Sequence, residues 1–193
     1  MPFLTSPVLS DGTLAGRPQP TVPTGDGLLL RPWRDADAPA VHEVFQDPVM
    51  HQWHARSADT VAEVAGWIGD WRRAWQEERA AQWAVVGADT DSLLGRVALR
   101  EIRLVDGSAE MAYWTVPAAR GRGIAVRAAD ALARWALDEV GFHRLELLHA
   151  VRNEASCRVA TRTGFVFEGI KRKAVLHPDG WHDMHLHARL RGD

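Results

Sequence analysis

The sequence predicts one α+β domain in which helices are inserted between the strands of a mostly antiparallel sheet. Short apolar and β-branched runs are separated by turn signals such as Asp106-Gly107. Two longer stretches, over residues 57–79 and 121–140, carry apolar residues at helical spacing. The strand over 181–190 alternates apolar and polar side chains, so we expect only one of its faces to be buried.

The composition excludes several classes of protein. Of the 193 residues, 46% are hydrophobic and 25% charged, which are proportions of a globular domain rather than of a disordered chain. Lys and Arg number 23 against 25 Asp and Glu, giving a net charge of −2, so we expect neither nucleic acid nor a membrane as a partner. The single cysteine, Cys157, cannot form an internal disulfide, which favours a reducing, cytoplasmic location.

The first half of the chain divides into an N-terminal segment and the start of the domain. Residues 1–26 are rich in proline and glycine and are predicted to form an arm or tail, whereas residues 27–193 are predicted to form one domain. A short strand is expected from Leu28. A helix over 36–46 should follow, ended by Asp47-Pro48, and then the helix that starts at Ser57 or Asp59.

The second half is predicted to contain six strands and two helices. Gly141 is expected to cap the helix that begins in the 121–123 region, because glycine accepts the left-handed backbone at a helix end. The predicted strands cover residues 82–86, 93–104, 110–116, 144–150, 165–176 and 181–190, and the predicted helices cover 121–140 and 154–162.

The segment from Glu110 to Ala125 is the most informative part of the sequence. It predicts a strand, a turn with two glycines and a helix N-terminus, where free N–H groups and the helix dipole attract an anion. Gly121 and Gly123 allow close approach of a phosphate, and Arg120 and Arg122 add charge. Neither a P-loop nor a complete dinucleotide fingerprint is present. From these residues alone, an anion cradle and a solvated turn both remain open.

Five stretches together are similar to a known family. Arg120-x-x-Gly123-x-Ala125 matches the [QR]-x-x-G-x-[GA] signature of the GNAT N-acetyltransferase superfamily, and residues 30–38, 109–114, 153–156 and 163–169 resemble its RimJ/RimL-like branch. The resemblance covers the chain from about residue 27. It implies the GNAT fold, a mixed and mostly antiparallel sheet of six to seven strands flanked by about four helices and splayed at the groove for coenzyme A (CoA).

The same resemblance implies acetyl-CoA as co-substrate and no metal. The chain would hold CoA on the strand end, the turn and the short helix, at Trp114, Thr115, Val116, Arg120, Gly121, Arg122, Gly123, Ile124, Ala125, Asn153, Ser156 and Arg162. A backbone N–H near Val116 would polarise the thioester carbonyl. Arg162 and the basic run 171–173 would meet the 3′-phosphate, and an ordinary exposed charge run is the competing interpretation. Ordinary core packing is the competing interpretation of Tyr113 and Trp114.

Two residues are candidates for proton transfer. Ser156 is the predicted acid beside the CoA sulfur, because the family's usual tyrosine position is Ala160 here. Glu110 is the predicted base, since burial on a central strand would raise its pKa toward neutrality, and a purely structural carboxylate is the alternative. Cys157 is expected to be a small buried hydrophobe rather than an acyl carrier.

The histidines do not predict a metal site. His182, His185 and His187 form the closest cluster, but no cysteine or HExxH motif accompanies them at the spacing of a zinc site. We therefore expect these side chains to be solvated. The four tryptophans Trp53, Trp67, Trp71 and Trp75 fall in the region that walls the acceptor pocket in the family, although such a stripe is more often core.

The predicted function is acetyl-CoA-dependent N-acetylation of a primary amine by direct attack, with a protein or peptide N-terminus as the favoured acceptor. The partners would be a CoA thioester and an amine. A homodimer is also open, in which the N-terminal arm lies across the neighbouring subunit. One alternative is a small-molecule or antibiotic N-acyltransferase, which could use succinyl-CoA if basic residues reach the acyl end of the groove. The other is a CoA-binding module without activity.

Overall fold

The computed structural model describes residues 4–53 and 56–193 and is built on one eight-stranded sheet, in the order β1-β2-β3-β4-β5-β6-β8-β7. All neighbouring strands are antiparallel except the parallel pair β5 and β6. The strands are β1 (Val22–Pro23), β2 (Leu28–Pro32), β3 (Ala81–Gly87), β4 (Leu93–Arg103), β5 (Ser108–Thr115), β6 (Arg144–Ala150), β7 (Val166–His177) and β8 (Gly180–Leu190). The mixed, mostly antiparallel sheet confirms the predicted fold class, with one short edge strand, β1, beyond the predicted number.

Five α-helices are described, one more than predicted. They are α1 (Ala38–Val44), α2 (Pro48–Trp53), α3 (Val61–Gln76), α4 (Ile124–Arg134) and α5 (Glu154–Arg162). Helix α2 was not predicted, because Asp47-Pro48 is typical of a helix end, whereas proline also fits the first turn of a helix. A π-helical turn, Trp135–Val140, prolongs α4 to the predicted cap Gly141, whose φ is +98°. None of these helices has the length and apolarity needed to cross a bilayer.

The core lies on both faces of the sheet. Trp83 and Val85 of β3 point into a cluster with α4, whereas Ala84 and Val86 point into a second cluster with α1 and α3. This alternation follows from the two-residue period of a strand, and it makes β3 apolar along its length. The two clusters hold the sheet rigid where β4 and β5 approach the site.

The N-terminal segment packs on the domain of the same chain. Leu14 is fully buried and Leu9 nearly so. The Glu78 carboxylate accepts hydrogen bonds from the N–H groups of Gly12, Leu14 and Ala15 at 2.7, 2.6 and 3.2 Å. Two core tryptophans also donate their indole N–H groups to carbonyls of this segment. These contacts make the segment part of the core, while the predicted boundary at residue 26 stays a prediction and residues 1–3 lie outside the described residues.

Candidate active site

The parallel strands β5 and β6 separate part of the way along the sheet. Their pairing runs from Ser108 opposite Arg144 to Met111 opposite Leu147, although both strands continue for several residues. The separation opens a cavity of about 510 Å³ between the two strands, α2 and α5. Backbone groups on the separated edges have lost their strand partner, so an amide-bearing ligand could pair with them.

A second cavity, of about 350 Å³, lies over the turn that precedes α4. Its wall shares Thr115, Arg120 and Ala125 with the first cavity, so the two adjoin. Together they extend from the N-terminus of α4 to the N-terminus of α5. This is the shape expected for an elongated ligand with an anionic part at one end.

The turn has the geometry of an anion cradle. Gly121 and Gly123 have left-handed φ angles of +75° and +73°, and a Cβ at either position would meet no atom within 4 Å. The first helical bond runs from the Arg127 N–H to the Gly123 carbonyl at 3.1 Å. The N–H groups of Ile124 and Ala125 consequently have no acceptor within the helix. The predicted strand, turn and helix are present, while the ligand of the turn stays a prediction.

Three arginines line this second cavity. They are Arg120, Arg158 and Arg162, and Arg120 lies 3.6 Å from the carboxylate of Asp47. The sequence analysis did not single out Arg158, which faces the cavity one helical turn before Arg162. Arg122 and the run 171–173 are exposed and line neither cavity. The positive charge at this end thus comes from Arg120 and from α5.

Two predicted residues form the N-terminus of α5 at the first cavity. Asn153 caps the helix, with its Oδ1 accepting a hydrogen bond from the Ser156 N–H at 3.1 Å. Ser156 is half-buried and lines the cavity. The helix N-terminus favours negative charge that develops beside this serine. The geometry confirms that Asn153 is an N-cap.

Tyr113 reaches the same place and was not among the predicted site residues. Its hydroxyl donates to the Ser156 carbonyl at 3.4 Å. Burial raises the pKa of Tyr113 to about 12, so the hydroxyl remains a donor at neutral pH. The alternation of side chains along β5 predicts that Tyr113 and Trp114 lie on opposite faces of the sheet. It does not predict that Tyr113 lies beside Ser156. The other face of β5 carries Trp114, which is 5% exposed and packs against Trp33 at the edge of the first cavity.

Glu110, the predicted base, also lines the first cavity. Its carboxylate forms an ion pair with Arg100, which lies directly opposite on β4. The side chain retains 21% of its accessible surface, so its burial is only partial. Glu110 therefore pairs with Arg100 on the neighbouring strand, and it also forms part of the cavity wall.

The predicted oxyanion donor is already engaged. The Val116 N–H donates to the Leu94 carbonyl at 2.9 Å, as part of the contact between β5 and β4. This donor could reach a thioester oxygen only by sharing or giving up that bond. Val116 itself lines neither cavity, whereas its neighbour Thr115 lines both.

Arg96 brings a positive charge to the first cavity. Its Nε donates to the Gln82 side chain at 2.7 Å, and its guanidinium lies 5.5 Å from the centre of the Trp71 ring. Within the described residues, no carboxylate lies at ion-pair distance from it. Burial and the charges of Arg100 and Arg56 lower the pKa of Arg96 to about 9, which still leaves it charged at neutral pH.

The tryptophans of α3 belong mainly to the core. Trp75 is buried in the cluster with α4, and Trp67 and Trp71 pack on the other cluster. Trp53, on α2, instead lines the first cavity. The three tryptophans of α3 are therefore core residues. Of the four tryptophans predicted near the acceptor pocket, Trp53 lines the first cavity.

The prediction that the histidines are solvated was wrong. His182 and His187 are 8% and 3% exposed, and His185 is half-buried. The alternation of β8 predicted that one face is solvated, but His187 on that face is buried near His149 of β6 and Cys157 of α5, and His182 lies on the same face as the buried Met184. His149 on β6, which the sequence analysis did not select, is also buried and lines the first cavity.

Comparison with known proteins assigns the family. A model described as acetyltransferase (GNAT) domain matches residues 27–166. YdaF of Bacillus subtilis (strain 168) is 31% identical over 168 residues, which cover 84% of this chain and 89% of YdaF. The ribosomal-protein-serine acetyltransferase of Escherichia coli (strain K12) is 31% identical over 100 residues, or 52% of this chain and 56% of that protein.

The solved structures agree in fold. RimL, described as the ribosomal L7/L12 alpha-N-protein acetyltransferase in complex with coenzyme A, aligns with a TM-score of 0.83 over 89% of this chain and 98% of its own. The identity is 21%, so this likeness concerns the fold alone. The fold and the splayed strands define a GNAT-type transferase. The chain belongs to the GNAT acetyltransferase family, is an N-acetyltransferase, and resembles the RimJ/RimL-like branch as predicted.

Proposed function

We propose that this protein transfers an acetyl group from acetyl-CoA to a primary amine by direct attack, and that the favoured acceptor is a protein or peptide N-terminus. The observation that carries the proposal is the pair of adjoining cavities between two helix N-termini. One end offers backbone N–H groups and arginines, and the other offers Ser156 in a separated pair of strands.

The elongated donor would lie along both cavities. Its pyrophosphate would bind the turn, and its 3′-phosphate would bind the arginines of α5. Its pantetheine amides would pair with the separated edge of β5. The residues proposed for this binding are Trp114, Thr115, Val116, Arg120, Gly121, Arg122, Gly123, Ile124, Ala125, Asn153, Ser156 and Arg162. Among them, Arg122 and Val116 have the weakest support, because neither lines a cavity.

The reaction needs one proton acceptor and one proton donor. An α-amino group titrates near pH 8, so a carboxylate acting through water is a sufficient base, and Glu110 is our candidate. The amine nitrogen forms a bond to the acetyl carbon while the carbon–sulfur bond breaks. Ser156 would donate to the leaving thiolate, whose charge the N-terminus of α5 favours. Tyr113, bonded to the Ser156 carbonyl, would hold that residue in place.

The acceptor class is tested with matched peptides. We expect acetyl-CoA and a peptide with a free N-terminus to yield one acetyl group on the α-amine, detected by mass spectrometry. The same peptide with a blocked N-terminus and an internal lysine is the control and should remain unmodified. Acetylation of lysine, or of small amines alone, would contradict the N-terminal acceptor. CoA binding without turnover on any amine would instead favour a binding module.

A second candidate function uses a negatively charged acyl group or acceptor. Arg96 supports it, because this cation faces the first cavity without a carboxylate partner in the described part of the chain. Succinyl-CoA and acetyl-CoA are compared at equal concentration with one acceptor. A larger kcat/KM for succinyl-CoA would favour the charged donor. A larger kcat/KM for acetyl-CoA would mean that Arg96 interacts with the acceptor and not with the acyl group.

A further inference from the structure

A group of metal-ligating side chains lies next to Ser156. His149, Cys157, His185 and His187 each offer one ligand atom, and these four atoms lie within 4.8 Å of one another. His149 is directly opposite His185 in the β6–β8 pair, and His187 is two residues along on the same face. Helix α5 brings Cys157 to that face. The cluster therefore comes from three separate elements of the fold.

The hydrogen bonds of two rings favour one tautomer of each. Nδ1 of His149 lies 2.9 Å from the Ala150 carbonyl, and Nδ1 of His187 lies 3.4 Å from the Phe165 carbonyl. A carbonyl only accepts, so each Nδ1 must carry the hydrogen. In neutral rings the two Nε2 atoms are then bare acceptors, yet they lie 3.2 Å apart. A positively charged group between or beside them would remove the repulsion of these two lone pairs.

A metal ion would supply that positive charge. Histidine ligands of metals usually donate their other N–H group to a carbonyl, as both of these rings do. Nδ1 of His185 is buried and has no hydrogen-bond partner in the described residues. A third ring nitrogen is thus also available.

We propose that His149, Cys157, His185 and His187 bind one Zn²⁺ ion. Three imidazole nitrogens and one thiolate form a tetrahedral set suited to zinc, and binding would release the thiol proton. At the usual bond lengths of about 2.0–2.3 Å, tetrahedral ligand atoms lie about 3.4–3.7 Å apart. The widest separation, 4.8 Å, must therefore close by about 1 Å, which side-chain rotation can supply.

The expected role of this ion is structural. Four protein ligands leave no open position for water, unlike a catalytic zinc site. The ion would join the first turn of α5 to β6 and β8 and so hold the helix that carries Ser156. The site is independent of the proposed acetyl transfer, because its residues bind metal whether or not an acceptor is ever found.

The test is metal analysis of the full-length protein after removal of any histidine tag. Elemental analysis should find about one zinc per chain, and chelator-stripped protein should rebind one Zn²⁺. Co²⁺ added to the stripped protein should give a thiolate-to-cobalt charge-transfer band with intense tetrahedral ligand-field bands. Absence of saturable Zn²⁺ binding, or a cobalt spectrum without the thiolate band, would overturn the proposal.

Variants locate the ion. Cys157→Ser and His185→Ala are preferred to changes of the fully buried rings, because half-buried positions are less critical for folding. Each should weaken Zn²⁺ binding at least about 100-fold, and Cys157→Ser should abolish the charge-transfer band. His143→Ala, at an exposed histidine outside the cluster, is the control and should bind zinc normally. Circular dichroism verifies folding, and wild-type affinity in both test variants would place the ion elsewhere.

Discussion

The two ends of the joined cavities are built in different ways. At the end near α4, the turn itself comes from one short segment, residues 117–126, and offers mainly backbone N–H groups, while Arg158 and Arg162 of α5 also line the cavity there. The end at α5 comes from β4, β5, β6 and α5, and offers the side chains of Arg96, Glu110, Tyr113, His149 and Ser156. The first end should therefore depend on backbone conformation, whereas the second should depend on the chemistry of individual side chains.

The strongest test of this contrast is Gly123→Trp. A side chain there would strain a left-handed residue and fill the space over the turn. We expect CoA binding, measured by titration calorimetry, to weaken at least about 100-fold, which corresponds to about 2.7 kcal/mol. Gly12→Trp is the matched control, because Gly12 is also left-handed with open space at its Cβ but lies away from both cavities. Equal affinity in the two variants would contradict the cradle.

At the other end, Ser156→Ala should separate catalysis from binding. We expect kcat to fall about 100-fold, the usual scale for loss of a positioned acid, with CoA affinity changed less than about twofold. Thr161→Ala removes a hydroxyl from the same helix at an exposed position and should retain wild-type kcat. A Ser156→Ala enzyme with full kcat would remove the serine from the mechanism.

A smaller effect is expected from Tyr113→Phe. The bond to the Ser156 carbonyl is long, at 3.4 Å, so its loss should lower kcat about fivefold, or about 1 kcal/mol. Because the pKa of Tyr113 is raised to about 12, the hydroxyl keeps its proton through the neutral range. The pH–rate profile below about pH 9 should consequently keep its shape. A lost basic limb would show that Tyr113 titrates during turnover.

The smallest effect should come from Arg120→Ala. This guanidinium is 36% exposed and already faces Asp47, so its contribution to an anion is screened. We expect CoA affinity to fall about threefold at low salt and the difference to vanish at high salt. Arg103→Ala, an exposed arginine on β4 outside both cavities, provides the comparison. A loss as large as that of Gly123→Trp would mean that side chains, rather than the backbone, hold the anion.

The contrast also explains what could be predicted from sequence. The turn was predictable because its glycines, its proline and the periodicity of α4 lie within one short segment. The end of the joined cavities at α5 depends on the register between strands, and the periodicity of a sequence does not reveal that register. Arg96 reaches the cavity because it pairs with Trp114, and His149 meets His185 because β6 pairs with β8. No local pattern identifies such partners.

The errors have the same physical origin. The alternation along β8 indicates that one face of the strand is apolar and the other polar. It does not indicate whether another element packs on the polar face. Burial of His187 depends on neighbours from other elements, among them His149 on β6 and Cys157 on α5. The N-terminal segment also has a long-range contact that its composition does not reveal, since the Leu14 N–H donates to Glu78, 64 residues away.

The docked N-terminal segment has a practical consequence for preparing the protein. A fragment trimmed to the family match, residues 27–166, would lack both Leu14 and the whole of β8. The carboxylate of Glu78 would lose three backbone donors, and β6 would gain an unprotected edge. Such a fragment should aggregate, because the span matched by the family model is smaller than the unit that folds.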